Sequence, residues 1–206
     1  MISWKILTLF LVTILPLVCT PGPDILFVSS QGLAGRRKGA LLATIGICAG
    51  YLVHAAFATA GLAAVIVTSP ILFGIVKYAG AAYLLCLGLK LLTSAFLSGA
   101  AQRLEPNAAL SVFRQGMLTS VMNPKGLLFF LALLPQFVDP ASGYAALQTL
   151  ILALVFVSTC SIVYLAIGLT VASARERFSG NNAVRAANGV AGTILIALGL
   201  RLSLIR

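Results

Sequence analysis

At 206 residues the chain is 60% hydrophobic and 9% charged, with a mean hydropathy of +1.08. A soluble domain carries about 25% charged residues, so the composition excludes a soluble globular protein and defines an all-α integral membrane protein. The net charge of +10 does not describe a nucleic-acid binder, because the basic residues stand in short gaps between apolar runs, with little beside them but Phe178.

Six apolar runs follow in chain order, at about 5–33, 40–67, 70–94, 111–138, 145–172 and 187–205. They approach or exceed the roughly 20 residues that cross a bilayer as a helix. The first, Lys5 then Ile6 to Val18 then Cys19, has the outline of a signal peptide. Leu17-Val18 is too bulky for a cleavage site, so the run reads as a retained membrane segment. It is interrupted by Thr20-Pro21-Gly22-Pro23-Asp24, and the fourth run is interrupted by Asn123-Pro124-Lys125. Proline removes a helical hydrogen bond and clashes with the preceding turn, and in hydrocarbon such a break survives only where it is buried or lines a cavity. Proline is comfortable at the first position of a new helix. Pro23 and Pro124 therefore read as starts of half-helices, with Asn123 as the N-cap of the second. The four cysteines lie far apart inside apolar runs and behave as small hydrophobes, so neither a metal centre nor a cofactor site is expected.

The breaks also expose an internal duplication. Placing PDILFV (23–28) over PKGLLF (124–129) sets Pro23 on Pro124 and Asp24 on Lys125. Placing LLCLGLKLL (84–92) over LIALGLRLS (195–203) sets Gly88 on Gly199 and Lys90 on Arg201. The reading is two three-helix repeats, about 5–94 and 111–205, joined by a loop at about 95–110 into one transmembrane domain. An odd number of spans inverts the second copy, giving six transmembrane helices with proline-broken first and fourth members. If all six cross, nine basic residues fall on one side and four on the other. The first set is Arg36, Arg37, Lys38, Lys90, Arg103, Arg114, Arg175, Arg177 and Arg185. The Lys/Arg rule makes that side cytoplasmic and puts both termini outside. Re-entrant first and fourth segments would give the same split, but both are long enough to span.

Half-helix starts near the membrane centre concentrate positive partial charge and free N–H donors, and in inverted-repeat transporters they face anionic substrate groups. Asp24 suits such a start, whereas Lys125 opposes the dipole of its own helix. An ionisable residue inside the membrane is a functional hint. One carboxylate and one ammonium at matching positions complement a zwitterion: Asp24 for an α-ammonium, Lys125 and nearby N–H groups for a carboxylate. The alternative is a structural staple in which the two charges neutralise each other. Asp24 is also the candidate carrier of a coupling proton.

The stretches PGPDILFV, GRRKGALLATIGICAGYLVHAAFATAGLAAV, GAAYLLCLGLKLL and NPKGLLFFLALLPQFVD, in this order over nearly the whole chain, resemble the LysE/RhtB family of bacterial amino-acid exporters. The resemblance implies export of amino acids or their relatives across the cytoplasmic (inner) membrane, driven by the proton gradient. It marks Pro21, Gly22, Pro23, Asp24, Asn123, Pro124 and Lys125 as motif positions. Tyr51 departs from the pattern, since many relatives place a polar or acidic residue after the glycine. If that position reads the side chain, an apolar or aromatic substrate is favoured.

Lesser candidates complete the reading. His54, the single histidine, is either a proton relay or a packing residue. Tyr83, Gln115 and Gln136 could contribute selectivity. Lys77, Lys90 and Arg201 stand near segment ends, where long side chains reach for lipid headgroups. Gly46-x-x-x-Gly50 permits close helix packing, as a homodimer seam or within the chain. No catalytic constellation is present, so an enzyme is not expected. Two other transporter-like classes fit worse. A thiol relay would need a second cysteine where Ser120 stands opposite Cys19, and a divalent-cation transporter would need several intramembrane carboxylates.

Overall fold

The computed structural model describes residues 2–60, 70–97, 108–177 and 181–204. The end of the second apolar run, most of the inter-repeat loop, and Arg103 and Phe178 lie outside them. Among the described residues the protein is all helical.

Helix α1 (Trp4–Cys19) begins where the Ser3 hydroxyl accepts from the Ile6 N–H, at 3.3 Å. It ends at Thr20, which is extended, as the residue before a proline prefers. Helix α2 (Pro23–Thr59) opens with Pro23 in its first turn and Asp24 beside it, so the carboxylate sits at the positive end of the helix. The axes of α1 and of the first arm of α2, Pro23–Ala34, meet at 57°.

Although helical throughout, α2 doubles back on itself. Asp24 and Tyr51 would stand about 40 Å apart on a straight helix rising 1.5 Å per residue, yet their side chains are hydrogen-bonded. A side chain on Gly39 would strike the Gln31 carbonyl, and Val28 and Ala40 both approach Gly168. The reversal lies between Ala34 and Arg37, the boundary between the bent first pair and the next apolar stretch. Arg37 and Lys38 are exposed there.

After α3 (Pro70–Leu97) and α4 (Ala108–Val121), the second break occurs at Met122-Asn123. Asn123 caps α5 (Pro124–Leu128), its Oδ1 accepting from the Lys125 N–H at 3.0 Å. A π turn (Phe129–Leu133) and a 3-10 turn (Leu134–Phe137) extend α5, and this composite meets α4 at 48°. Gly143, at φ 72°, supplies the left-handed residue before α6 (Ala145–Arg177). Helix α7 (Asn181–Leu204) completes the described chain.

Arg37–Thr59 and Ala145–Ala174 are each long and apolar enough to cross a membrane, and each bent pair qualifies when counted as one span. Ala81–Thr93 and Gly189–Arg201 are shorter apolar stretches inside α3 and α7. The second arm of α2 lies between α4 and α6, and α3 pairs with α7. Glycines set the first contact. Gly46 and Gly50 meet Phe113 and Met117 in the same order along both chains, so α4 runs parallel to this arm. The Gly46-x-x-x-Gly50 pair therefore serves a seam within the chain. Gly46→Ala should push a methyl into the Phe113 carbonyl, with no flexible side chain to give way. Overpacking of this kind costs about 1–3 kcal/mol, so the expected result is a thermal midpoint several degrees lower in detergent. An unchanged midpoint would mean that the seam is looser than described.

Helix α1 is the least embraced element. It touches α6, and Phe10 packs on Phe129 and Phe137, but Trp4 is 82% exposed and Leu9, Val12 and Leu15 also face outward.

Candidate substrate site at the two helix breaks

The breaks meet in the protein interior and exchange polar groups. Asp24 is 1% exposed. Its Oδ2 accepts from the Asn123 amide at 2.7 Å and from the Tyr51 hydroxyl. Asn123 thus caps α5 with its oxygen and holds the carboxylate of the other break with its nitrogen. The remaining carboxylate oxygen, Oδ1, is buried without a hydrogen-bond partner. A buried acceptor normally has a partner, so this atom marks a place where a donor belongs.

Lys125 crosses the other way. Its ammonium donates to the carbonyls of Leu17 and Thr20, both at 3.0 Å. Both carbonyls lie at the end of α1, where partial negative charge collects, and that of Leu17 also accepts from the Thr20 N–H at 3.2 Å. The residue that opposes the dipole of its own helix therefore complements that of another. The hydrogen bonds of Asp24 and Lys125 go to different partners, so a direct staple between the two charges is not the geometry. An ammonium has three donors, and two of them serve the end of α1.

The proline and glycine positions shape the backbone here. Pro21 and Gly22 separate the helices, and Pro23 and Pro124 occupy first-turn positions. A side chain on Gly22 would come within 3.8 Å of the Lys125 Nζ. Gly126 has a sharper role: an added Cβ would lie 2.7 Å from the Tyr51 ring, so its bareness lets that ring cross the start of α5.

Tyr51 is fully buried, its hydroxyl engaged by Asp24 and 3.4 Å from that of Tyr164. Its ring packs edge-on to Phe156 at 5.0 Å, and Phe156 stacks on Phe129 at 3.8 Å. The π turn begins at Phe129, and both Phe129 and Phe130 are buried in this aromatic wall. Such turns occur often at functional sites.

His54 joins the edge of the site. Its ring stacks on Phe130 at 5.7 Å, and its Nε2 lies 3.2 Å from the Ser120 carbonyl. A carbonyl can only accept, so Nε2 carries the hydrogen. The other candidates lie elsewhere. Tyr83 donates to the Gln115 carbonyl at 2.9 Å, the Gln115 amide turns to Ser111 at 2.7 Å, and the exposed Gln136 amide returns to Ala132 at 2.9 Å. Tyr164, Phe156 and Ser120 belong to the cluster but carry no motif. The only signal for Ser120 was its place opposite Cys19 in the duplication.

The two helix breaks cross around the buried Asp24 carboxylate and the half-buried Lys125 ammonium in a chain of apolar helices, an arrangement that inverted-repeat transporters use. The comparisons agree: residues 15–205 match the LysE type translocator family, and the chain belongs to that family. It is 36% identical over 161 residues to the leucine efflux protein of Salmonella typhimurium (strain LT2), covering 76% of this chain and 75% of that one. It is 34% identical over 193 residues to the leucine efflux protein of Enterobacter sp. (strain 638), covering 91% and 90%. No solved structure is a significant match.

Proposed function

We propose that this protein exports apolar amino acids, leucine foremost, from the bacterial cytoplasm across the inner membrane in exchange for protons. The observation that carries the reading is the buried, unpartnered Oδ1 of Asp24 where the two helix breaks meet, with the half-buried Lys125 ammonium anchored to the end of α1. The substrate ammonium takes Asp24 Oδ1. Its carboxylate takes the third donor of Lys125 and backbone N–H groups of the half-helix starts. An apolar side chain then meets the wall of Tyr51, Phe130 and Phe156, in keeping with the named substrate of the relatives. Asp24 is the group that takes up a proton when the substrate leaves.

The architecture proposed for this cycle is six spans in two inverted repeats, 5–94 and 111–205. Packing at α3 and α7 supports it. The repeat offset carries Ala81 onto Gly192 and Gly88 onto Gly199. Gly88 packs against Gly192, and Gly199 packs against Ala81, so one contact is the image of the other. The Arg185 guanidinium donates to the Phe96 carbonyl at 3.3 Å, which brings the end of α3 and the start of α7 to one face. In the six-span reading that face is cytoplasmic, as is the reversal in α2 with its exposed Arg37 and Lys38.

Everted membrane vesicles test the reading, because their cytoplasmic face looks outward. Labelled leucine should enter when the vesicle interior is acid and stop entering when a protonophore collapses the gradient. Equal uptake with and without the protein would sink leucine export, and uptake indifferent to the gradient would sink proton exchange.

A further inference from the structure

The interior holds a second unpartnered polar atom, the hydroxyl oxygen of Ser120. The residue is fully buried, one turn before the second break. Helical hydroxyls in this protein usually turn back onto the carbonyl four residues earlier, as Thr44, Thr59, Thr119 and Thr159 do at 2.7 to 2.9 Å. Ser120 does not. Its backbone is pinned, the carbonyl accepting from the Asn123 N–H at 3.0 Å and from His54 Nε2 at 3.2 Å. The hydroxyl faces Gly50, where an added Cβ would lie 3.0 Å from it. Asn123 links the two orphans: its backbone N–H holds Ser120 and its side chain holds Asp24.

A buried hydroxyl without a partner destabilises the protein that carries it, so an idle serine here would be better as alanine. We propose that Ser120 is a further substrate-binding residue, its hydroxyl and Asp24 Oδ1 together receiving the ammonium of the amino acid. This rests on the exporter reading above and adds a contact to it. An alkylammonium offers three donors; Asp24 supplies one charged acceptor and Ser120 a neutral one. The hydroxyl also distinguishes a primary ammonium from an analogue without one, because a site built to hydrogen-bond a group discriminates strongly against its absence. These groups are sealed from solvent, so the solute reaches them only when the helices flanking the breaks part.

The test is Ser120→Ala in the full chain, reconstituted in proteoliposomes, with leucine as substrate and 4-methylpentanoate as a competing analogue that lacks the amino group. The expected result is a leucine KM raised about tenfold, the scale of a lost hydrogen bond to a charged group. Inhibition by 4-methylpentanoate should not change. The thermal midpoint without leucine should rise, and the further rise produced by leucine should shrink. A raised midpoint with unchanged leucine KM would overturn the proposal, showing an idle hydroxyl. Equal weakening of leucine and 4-methylpentanoate would overturn it as well, since the contact would not be to the ammonium. Wild-type protein that moves no leucine would instead overturn the exporter reading on which the proposal stands.

Discussion

Asp24→Asn should abolish leucine export, by about 100-fold or more, while the protein still reaches the membrane in normal amount. The substitution keeps volume but changes hydrogen-bond polarity. Asn123 and Tyr51 both donate to Oδ2, so the new amide must turn its oxygen towards them. Its NH2 then takes the place of Oδ1 and presents donors to an ammonium that is itself only a donor. A charge-assisted hydrogen bond, worth about 1.5–3 kcal/mol, is replaced by a repulsion, and the proton carrier is lost as well. The fold should survive, because the amide still satisfies both neighbours. Vesicle uptake normalised to immunoblotted protein would check this. Retention of most of the export by Asp24→Asn would remove Asp24 from the site.

Lys125→Met should reduce export about 10- to 100-fold through two separate losses. One is the donor for the substrate carboxylate. The other is the cap on α1, whose Leu17 and Thr20 carbonyls would face no cation; a cation at a helix C-terminus is worth about 0.3–2 kcal/mol. Helix α1 is already the least embraced element, so its end should loosen first. Lys125→Arg keeps the charge and should restore α1 protection, read by hydrogen exchange of residues 14–20, with only partial recovery of export. The double variant Asp24→Asn/Lys125→Met separates a binding site from a pair of compensating charges. If the charges merely neutralised one another, removing both would be milder than removing either, because a lone buried charge is the costly state. Their hydrogen bonds go to different partners, so the double variant should insert well and export no more than Asp24→Asn alone. Near-normal export by the double variant would refute the binding role.

Much of this protein was legible in one dimension because its rules are local. Hydropathy and the scarcity of charge define a membrane protein, since burial in lipid is a demand on each residue in turn. The positions of Pro23, Pro124 and Asn123 announce two helix starts, because a missing N–H and a capping side chain act within one turn. Asp24 and Lys125 stand out for the same reason: charge in an apolar run is visible without a fold. What they bind is not. That Lys125 caps α1, that Asn123 reaches Asp24, and that Tyr51 lies over Gly126 depend on contacts spanning about 75 to 108 residues of chain. The reversal within α2 was legible as the basic gap at Arg36–Lys38 between the first two apolar runs; what the sequence does not show is that helical hydrogen bonding continues through it. Gln115 and Gln136, plausible by residue type, are engaged away from the breaks, by Ser111 and Lys90 and by Ala132, whereas the hydroxyl of Ser120, one serine among many, stands at the junction without a partner. Residue chemistry sets what a polar atom can accept or donate; only tertiary packing decides whether a partner is within reach.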